Sequence, residues 1–235
     1  MKKIIALTVL TLASFNSFAS DNAKRLVEDV LKDDIAVFRS EGGGSNIADS
    51  IPTVNASKLI SEYSNNQYKY EKTYHNQVIN IKTVASGVKT DLSGDPFVVA
   101  NGKNQFEYVS LELKNKDDAM NINKGSKLDL ICVGTKDNVM FPILKNCVTS
   151  DSYFQKYLEV TMSKINKLEK DDKPSSMIEV FYLALWKFDI QKPNLLDKYK
   201  TFRELMQNKS DFDELSVLVQ SSLTEEQPNT IMPKP

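Results

Sequence analysis

The stretch Phe106-Glu107-Tyr108-Val109-Ser110-Leu111-Glu112-Leu113 (residues 106–113) decides the fold. Its aliphatic residues Val109, Leu111 and Leu113 stand at every second position, which is the pattern of a β-strand that buries one face. The same alternation puts four other residues on the opposite face. These are Phe106, Tyr108, Ser110 and Glu112. The pattern therefore predicts a half-buried strand with an aliphatic inner face and a partly aromatic outer face.

Four further stretches around this strand have the same character. They cover residues 77–90, 96–100, 126–134 and 139–148. Turn chemistry separates them, with Asp, Ser, Gly and Pro crowded into residues 91–96 and the hairpin signal Asn101-Gly102 after the second strand. Residues 119–123 form a short segment with a predicted helical turn before the fourth strand. Together these patterns predict five strands with a helical insert.

Helical patterns flank the strands on both sides. Apolar residues recur at helical spacing over residues 22–39, and Asn55 is an N-cap residue type in front of a helix predicted over 56–63. Residues after 150 carry no strand signal, and Ser175 or Ser176 caps one of the helices predicted there. The predicted organisation is a signal peptide over 1–19, an N-terminal helix over 20–41, a flexible linker over 42–52, a strand domain over 53–150, a helical region over 151–223 and a disordered tail over 224–235.

Five strands with a helical insert before the fourth is the order of an OB-fold, a small, partly open Greek-key barrel. The predicted fold class is therefore α+β, a five-stranded OB-fold β-barrel flanked by an N-terminal helix and a C-terminal helical region.

Several short motifs within residues 53–150 resemble the bacterial tRNA-anticodon-like OB-fold family. They are Asn55-Ala56-Ser57-Lys58-Leu59, Asn65-Asn66, Lys72-Thr73-Tyr74-His75-Asn76-Gln77-Val78, Lys124-Gly125, Cys132-x-Gly134, Pro142 and Cys147. The resemblance implies an OB-fold and an exported protein, since members of the family are mostly exported and have no established activity. One departure concerns the glycine that bends strand one in the family. Thr83 stands there, with Gly87 four residues later, so the bend is either shifted or weaker.

Residues 1–19 have the pattern of a cleavable signal peptide. Lys2 and Lys3 precede an apolar run of about twelve residues, and small residues at Ser17 and Ala19 predict a cut at Ala19/Ser20. An uncleaved anchor is the alternative, but a bilayer-spanning helix needs roughly twenty apolar residues. We therefore expect a periplasmic protein without a membrane span after cleavage.

The charge balance argues against nucleic acid as the main partner. The chain has 30 basic and 31 acidic residues, and loss of Lys2 and Lys3 leaves 28 against 31, a net charge of −3. Residues 56–150 carry 12 Lys, no Arg and 10 acidic residues. A domain whose main task is to bind a phosphate backbone usually has a clear basic excess.

Cys132 and Cys147 are the two cysteines of the chain. An even count in an oxidising compartment favours a disulfide, and a pair of buried free thiols is the alternative. If the last turn is residues 135–138, ideal pairing would place Cys132 opposite Phe141, and only a bend near Pro142 would bring Cys147 back to it. Two cysteines and a single distant His make no metal site.

No motif in the sequence points to catalysis. His75, the only histidine, lies just before strand one and is interpreted as a hydrogen-bonded residue at the barrel edge. No phosphate loop, dinucleotide-binding turn or nucleophile elbow is present, so we predict no catalytic residues, no cofactor and no enzyme.

Binding is the function that the predicted barrel favours. OB-folds bind ligands on the face of strands two and three, which carries the candidate residues Phe97, Phe106, Tyr108 and Ser110. The flanking helices could instead cover this face. Tyr68, Tyr70 and Tyr74 alternate in the same way, so they too could either face a ligand or be covered by the helices. The first hypothesis is an exported binding or adaptor protein for an envelope protein or small ligand. The second is a structural or stress-related envelope protein that self-associates through its helical region.

Overall fold

The computed structural model describes residues 2–40, 45–136 and 140–223, with side chains from Ser20 onward except those of residues 48–49. The glycines of the predicted linker, part of the last predicted turn and the predicted tail lie outside these residues. The chain forms two compact units. One contains residues up to 39 and those from 158 onward, and the other spans residues 40–157.

The second unit contains a mixed seven-stranded sheet in the order β1-β2-β6-β7-β5-β4-β3. Its strands are β1 (Thr53–Val54), β2 (Val78–Val84), β3 (Gly87–Thr90), β4 (Pro96–Asn101), β5 (Tyr108–Leu113), β6 (Lys127–Gly134) and β7 (Ile143–Thr149). The pairs β1–β2 and β5–β7 are parallel, and the other pairs are antiparallel. The fold is thus α+β, but with seven strands rather than the five predicted.

Part of the difference between seven and five strands comes from a bend in the first predicted strand. The backbone N–H of Ala85 donates to Ser126 beside β6, whereas the N–H of Ser86 donates to Val99 of β4. The chain therefore changes partners between two adjacent residues, and one long strand becomes β2 and β3. Gly87 follows at once with a φ of 157°. The bend lies later than Thr83, so it is shifted rather than lost.

Short helices precede the sheet. They are α2 (Asn46–Ser50), α3 (Ala56–Asn65) and α4 (Gln67–Tyr74). Asn55 caps α3 as predicted, because its Oδ1 accepts the N–H of Lys58 at 2.9 Å. The helix α4 was not predicted, and it explains the tyrosines: Tyr70 and Tyr74 are buried in the barrel core one turn apart, whereas Tyr68 is exposed. The helix α2 lies within the stretch predicted as a linker.

Cys132 and Cys147 form a disulfide in the core of the sheet. Gly134 pairs with Leu144, so the connection between β6 and β7 is longer than the predicted four-residue turn. The register then shifts between Ile131 and Val133, where one residue of β6 faces two of β7. Asn146 lies in this bulge with a φ of 53°. The longer connection and the bulge together bring Cys147, rather than Phe141, beside Cys132.

The first unit is helical. It contains α1 (Lys2–Arg39), α6 (Met177–Gln191), α7 (Phe202–Gln207) and α8 (Lys209–Ser222), and α5 (Ser150–Ile165) crosses the limit between the units. Ser176 caps α6 through a hydrogen bond from the N–H of Glu179. Buried Ala23, Leu26 and Val27 place α1 against α6. The region from 20 to 39 therefore packs with helices that lie far from it in sequence.

Candidate functional site

A groove of about 410 Å³ opens on the outer face of β4 and β5. The loop between β3 and β4 borders it on one side, and the segment between β6 and β7 borders it on the other. Its lining residues are Asp91, Asp95, Pro96, Phe97, Tyr108, Ser110, Glu112, Leu113, Lys116, Met140, Phe141 and Ile143. Among the described residues, none from an α-helix lines it, and the one helical contribution is Lys116 at the start of a short 3₁₀ helix (Lys116–Asn121).

The alternation of β5 directs its side chains as the sequence predicts. Val109 and Leu111 are fully buried in the barrel core. Tyr108, Ser110 and Glu112 alternate with them and line the groove. The same period that fills the barrel therefore also builds the floor of the groove.

An aromatic pair forms one wall of the groove. The rings of Tyr108 and Phe141 are stacked, with centroids 4.1 Å apart and an interplanar angle of 26°. Lys89 of β3 places its Nζ over the Tyr108 ring, 5.5 Å from the centroid. Because Phe141 occupies one face of Tyr108, this ammonium group lies over the other. The ring of Tyr108 is thus covered on both faces.

Ser110 supplies a polar group in the floor. Its backbone N–H donates to the carbonyl oxygen of Pro142 at 2.9 Å, which ties β5 to the segment before β7. The residue is only 9% exposed, and its hydroxyl group makes no hydrogen bond to a described residue. The hydroxyl oxygen is instead open to the groove, where water or a ligand can bind it. Ser110 is therefore the residue best placed to bind a polar ligand group.

The charged groups of the lining are mostly acidic. Among the described lining residues, Asp91, Asp95 and Glu112 are the acids and Lys116 is the one lysine. The Nζ of Lys116 pairs with Asp95 at 2.6 Å. The Oδ1 atom of Asp91 accepts the N–H groups of Ser93 and Asp95, so this carboxylate also holds the loop in shape. Outside the lining, Lys145 lies 3.8 Å from Glu112.

Three of the four predicted binding residues come together here, namely Phe97, Tyr108 and Ser110. Phe106 does not line the groove. Asn104 Oδ1 accepts the N–H groups of Phe106 and Glu107, which forms a turn, so β5 begins at Tyr108 and Phe106 stays 75% exposed. Phe141 and Met140 also line the groove and were not predicted, although both lie in a loop that OB-folds use for binding.

His75 lies at the barrel edge, where it forms a bridge with Gly134. Its Nε2 is 3.0 Å from the side-chain amide of Asn76, and its buried Nδ1 has no hydrogen-bond partner among the described residues. In the part of the chain that the structure describes, no three His, Cys, Asp or Glu residues are grouped to hold a metal ion.

The model of the tRNA_anti-like family matches residues 1–148. The chain belongs to the tRNA_anti-like family. The resemblance noted over residues 53–150 is thereby confirmed, and the match extends to the N-terminal residues. Family membership gives the second unit an OB-like fold, in agreement with its sheet. The helices from α5 onward lie outside the matched residues.

Among solved structures, this tRNA_anti-like chain is similar to a "putative nucleic acid-binding lipoprotein" from Klebsiella pneumoniae subsp. pneumoniae MGH 78578. The two share 14% sequence identity with a TM-score of 0.36, and the alignment covers 45% of this chain and 97% of the other. No curated protein matches the chain significantly. Within the described residues, no helix combines the length and the apolar character needed to cross a membrane.

Proposed function

We propose that this protein is an exported, non-enzymatic OB-fold binding module and that the groove on β4 and β5 is its ligand site. The observation that carries the proposal is Ser110, a residue only 9% exposed whose hydroxyl group makes no hydrogen bond to a described residue, at the floor of a groove with aromatic walls. Stacking surfaces around a few polar groups are typical of binding sites. The groove also lies between the two loops that OB-folds use for ligands.

Export is supported by two independent features. The pattern of residues 2–19 is that of a signal peptide, and the Cys132–Cys147 disulfide suits an oxidising compartment. We therefore propose a periplasmic location with cleavage at Ala19/Ser20. A fusion of residues 1–40 to alkaline phosphatase should be active, and deletion of residues 4–15 should abolish that activity. Activity that survives the deletion would contradict export by this segment.

The absence of catalysis is proposed from the chemistry of the lining. Its described residues include neither His nor Cys, and the hydroxyl group of Ser110 makes no hydrogen bond to any carboxylate of the lining. A nucleophile of this kind needs a neighbouring general base within hydrogen-bonding distance. The arrangement supports recognition rather than bond cleavage.

Site-specific photocrosslinking in intact cells tests the proposal. A benzoylphenylalanine residue replacing Met140, which is 72% exposed beside the groove, should trap a ligand. The same photocrosslinker at Tyr68, which is exposed on α4 away from the groove, is the matched control. The crosslink from Met140 should disappear when Phe97→Ala is added. Equal crosslinking from both positions, or a product unaffected by Phe97→Ala, would contradict a ligand site in the groove.

The competing hypothesis, self-association through the helical region, makes a different prediction. Val217 is 64% exposed on α8. Under that hypothesis, Val217→Lys should change the oligomeric state measured by light scattering, and groove substitutions should not change cellular function. If the groove is the ligand site, groove substitutions should change cellular function, and Val217→Lys should leave the oligomeric state unchanged.

A further inference from the structure

Lys89 already fills a cation site at the groove. Its ammonium group lies over the face of Tyr108 that Phe141 leaves open. Lys89 is an exposed residue on the short strand β3, so its long side chain can leave this position at little cost. Arginine binds aromatic faces at least as well as lysine does, because its guanidinium group is planar and weakly hydrated. A ligand cation could therefore replace Lys89 over the ring.

The carboxylates of the groove favour a cation as well. Asp91, Asp95 and Glu112 line it, and Lys116 is already paired with Asp95. Within the described lining, a phosphate group would meet three carboxylates and one lysine, with Lys89 and Lys145 at the border. A guanidinium or ammonium group would instead gain charge-assisted hydrogen bonds to carboxylate oxygens.

Two exposed apolar side chains stand at the borders of the groove. Leu92 is fully exposed at the tip of the β3–β4 loop outside the lining, and Met140 is a lining residue that is still 72% exposed. A small ligand in the groove would leave Leu92 and much of Met140 in water. A peptide several residues long could cover them, and methionine adapts readily to different partner surfaces.

These observations point to one class of occupant. We propose, resting on the function proposed above, that the groove binds a basic segment of a partner protein. An Arg or Lys side chain of that segment enters the groove toward the Tyr108–Phe141 pair and displaces Lys89, while its apolar neighbours cover Leu92 and Met140. The polar end of the incoming side chain, or the partner's backbone, reaches the hydroxyl group of Ser110.

The test compares probes of different chemistry on the exported chain purified with its disulfide intact. The probes are a capped peptide with a central Arg flanked by Leu, the same peptide with Gln or Glu in place of Arg, an oligothymidylate and a neutral oligosaccharide. Backbone amide shifts in ¹⁵N–¹H NMR spectra locate each probe, and titrations give Kd. The Arg peptide should shift the amides of Ser110, Glu112 and Phe141, and the Glu peptide should not.

Lys89→Ala separates a cationic ligand from an anionic one by the sign of its effect. Removal of the competing ammonium group should lower the Kd of the Arg peptide about threefold, whereas it would raise the Kd of an oligonucleotide. Glu112→Gln should raise the Kd of the Arg peptide by about three- to tenfold. Lys58→Ala, at an exposed lysine on α3 away from the groove, is the matched control and should change neither value.

The outcomes separate this inference from the function on which it rests. Groove shifts caused by the oligosaccharide or the oligonucleotide instead of the Arg peptide would overturn the basic-segment inference and leave the binding site standing. Weaker binding of the Arg peptide by Lys89→Ala would overturn the inference too. No groove shift with any probe, together with no groove-dependent crosslink in cells, would overturn both.

Discussion

Gly134 of β6 lies directly against the backbone of Tyr74, so that a Cβ atom on Gly134 would overlap the Tyr74 carbonyl oxygen and come within 2.8 Å of its carbonyl carbon. The contact arises because the end of α4 is tied to β6. The N–H of Asn76 donates to the carbonyl of Gly134, and the N–H of Gly134 donates to Gln77. Two backbones that approach this closely leave no space for a side chain.

Gly134→Ala should therefore destabilise the barrel strongly. We expect a loss of about 3 kcal/mol or more in the free energy of unfolding, since backbone cannot move aside as a flexible side chain can. Urea unfolding measures it. Gly94→Ala is the comparison, because Gly94 has open space around it but a φ of 85°, so only about 1–2 kcal/mol is expected. Equal effects would mean that crowding at Tyr74 is not the cause.

The disulfide should carry a substantial part of the stability. Cys132 and Cys147 are 15 residues apart in sequence, and closing a loop of that size stabilises a fold by about 3 kcal/mol in the chain-entropy model. The double variant Cys132→Ala/Cys147→Ala should lose about 2–4 kcal/mol in urea unfolding. Reductant should destabilise the native chain by a similar amount and leave the variant unchanged. A native chain that reductant does not affect would show that the bond adds little.

Local sequence patterns predicted β5 because this strand buries one face, with Val109 and Leu111 in the core. The start of α3 was predictable because Asn55 is a residue type that caps helices. Strand boundaries failed where side chains of loop residues bond the backbone. The turn held by Asn104 moved the start of β5 beyond Phe106, which alternation alone places on the strand.

The site was predictable only in part for a similar reason. Phe97, Tyr108 and Ser110 were predicted because strand alternation places them on the outer face and because OB-folds bind ligands on that face. Phe141 reaches the groove because β7 pairs with β5, which lies some thirty residues earlier in the chain. A pairing between strands so far apart in sequence produces no local pattern of residues, so it could not be predicted from the sequence. The helix α4 was missed because its tyrosines also fit an alternating pattern, although Asn66 caps it.

Asn80 should be a second critical residue, because it joins four elements from a fully buried position. Its amide nitrogen donates to Asp129 Oδ1 at 2.6 Å and to Ser150 Oγ at 3.1 Å, and its Oδ1 accepts from Thr53. Asn80→Ala should cost about 2–4 kcal/mol in urea unfolding, since it removes the hydrogen bonds of a fully buried side chain and leaves the space of that side chain unfilled. Asn65→Ala, on an exposed residue of α3, should cost under about 1 kcal/mol.

Asn80→Asp should make the stability depend on pH. It replaces the donor beside Asp129 with a carboxyl group, and two adjacent carboxylates raise each other's pKa. A pKa raised in the folded state gives full stability below the unfolded value, and this stability is lost as pH rises through the folded value. In thermal unfolding from pH 3.5 to 7, the melting temperature of the variant should drop further below that of the native protein as pH rises. Parallel curves would contradict this.

Asp189 should make the stability of the helical unit depend on pH in the native protein. Burial on α6 raises the pKa of this carboxyl group above its ordinary value of 3.8, and hydrogen bonds from Leu196 N–H and the Asn22 amide partly offset the rise. Its contribution is therefore complete below pH 3.8 and is lost as pH rises through the folded pKa. Asp189→Asn should reduce the decline of the melting temperature over that window. Asp213→Asn, on the exposed side of α8, should not.

Ser110→Ala should separate stability from binding. Most buried serines lose a hydrogen bond when truncated, which costs about 1 kcal/mol, but the Ser110 hydroxyl has no protein partner to lose. Its removal should leave the free energy of unfolding unchanged within about 0.5 kcal/mol, or raise it. Ligand binding in the groove should weaken, whereas Ser93→Ala on the exposed loop nearby should leave it unchanged. If Ser110→Ala destabilises the fold by 1 kcal/mol or more without affecting binding, the hydroxyl group is structural, because a group kept for a ligand adds no stability in its absence.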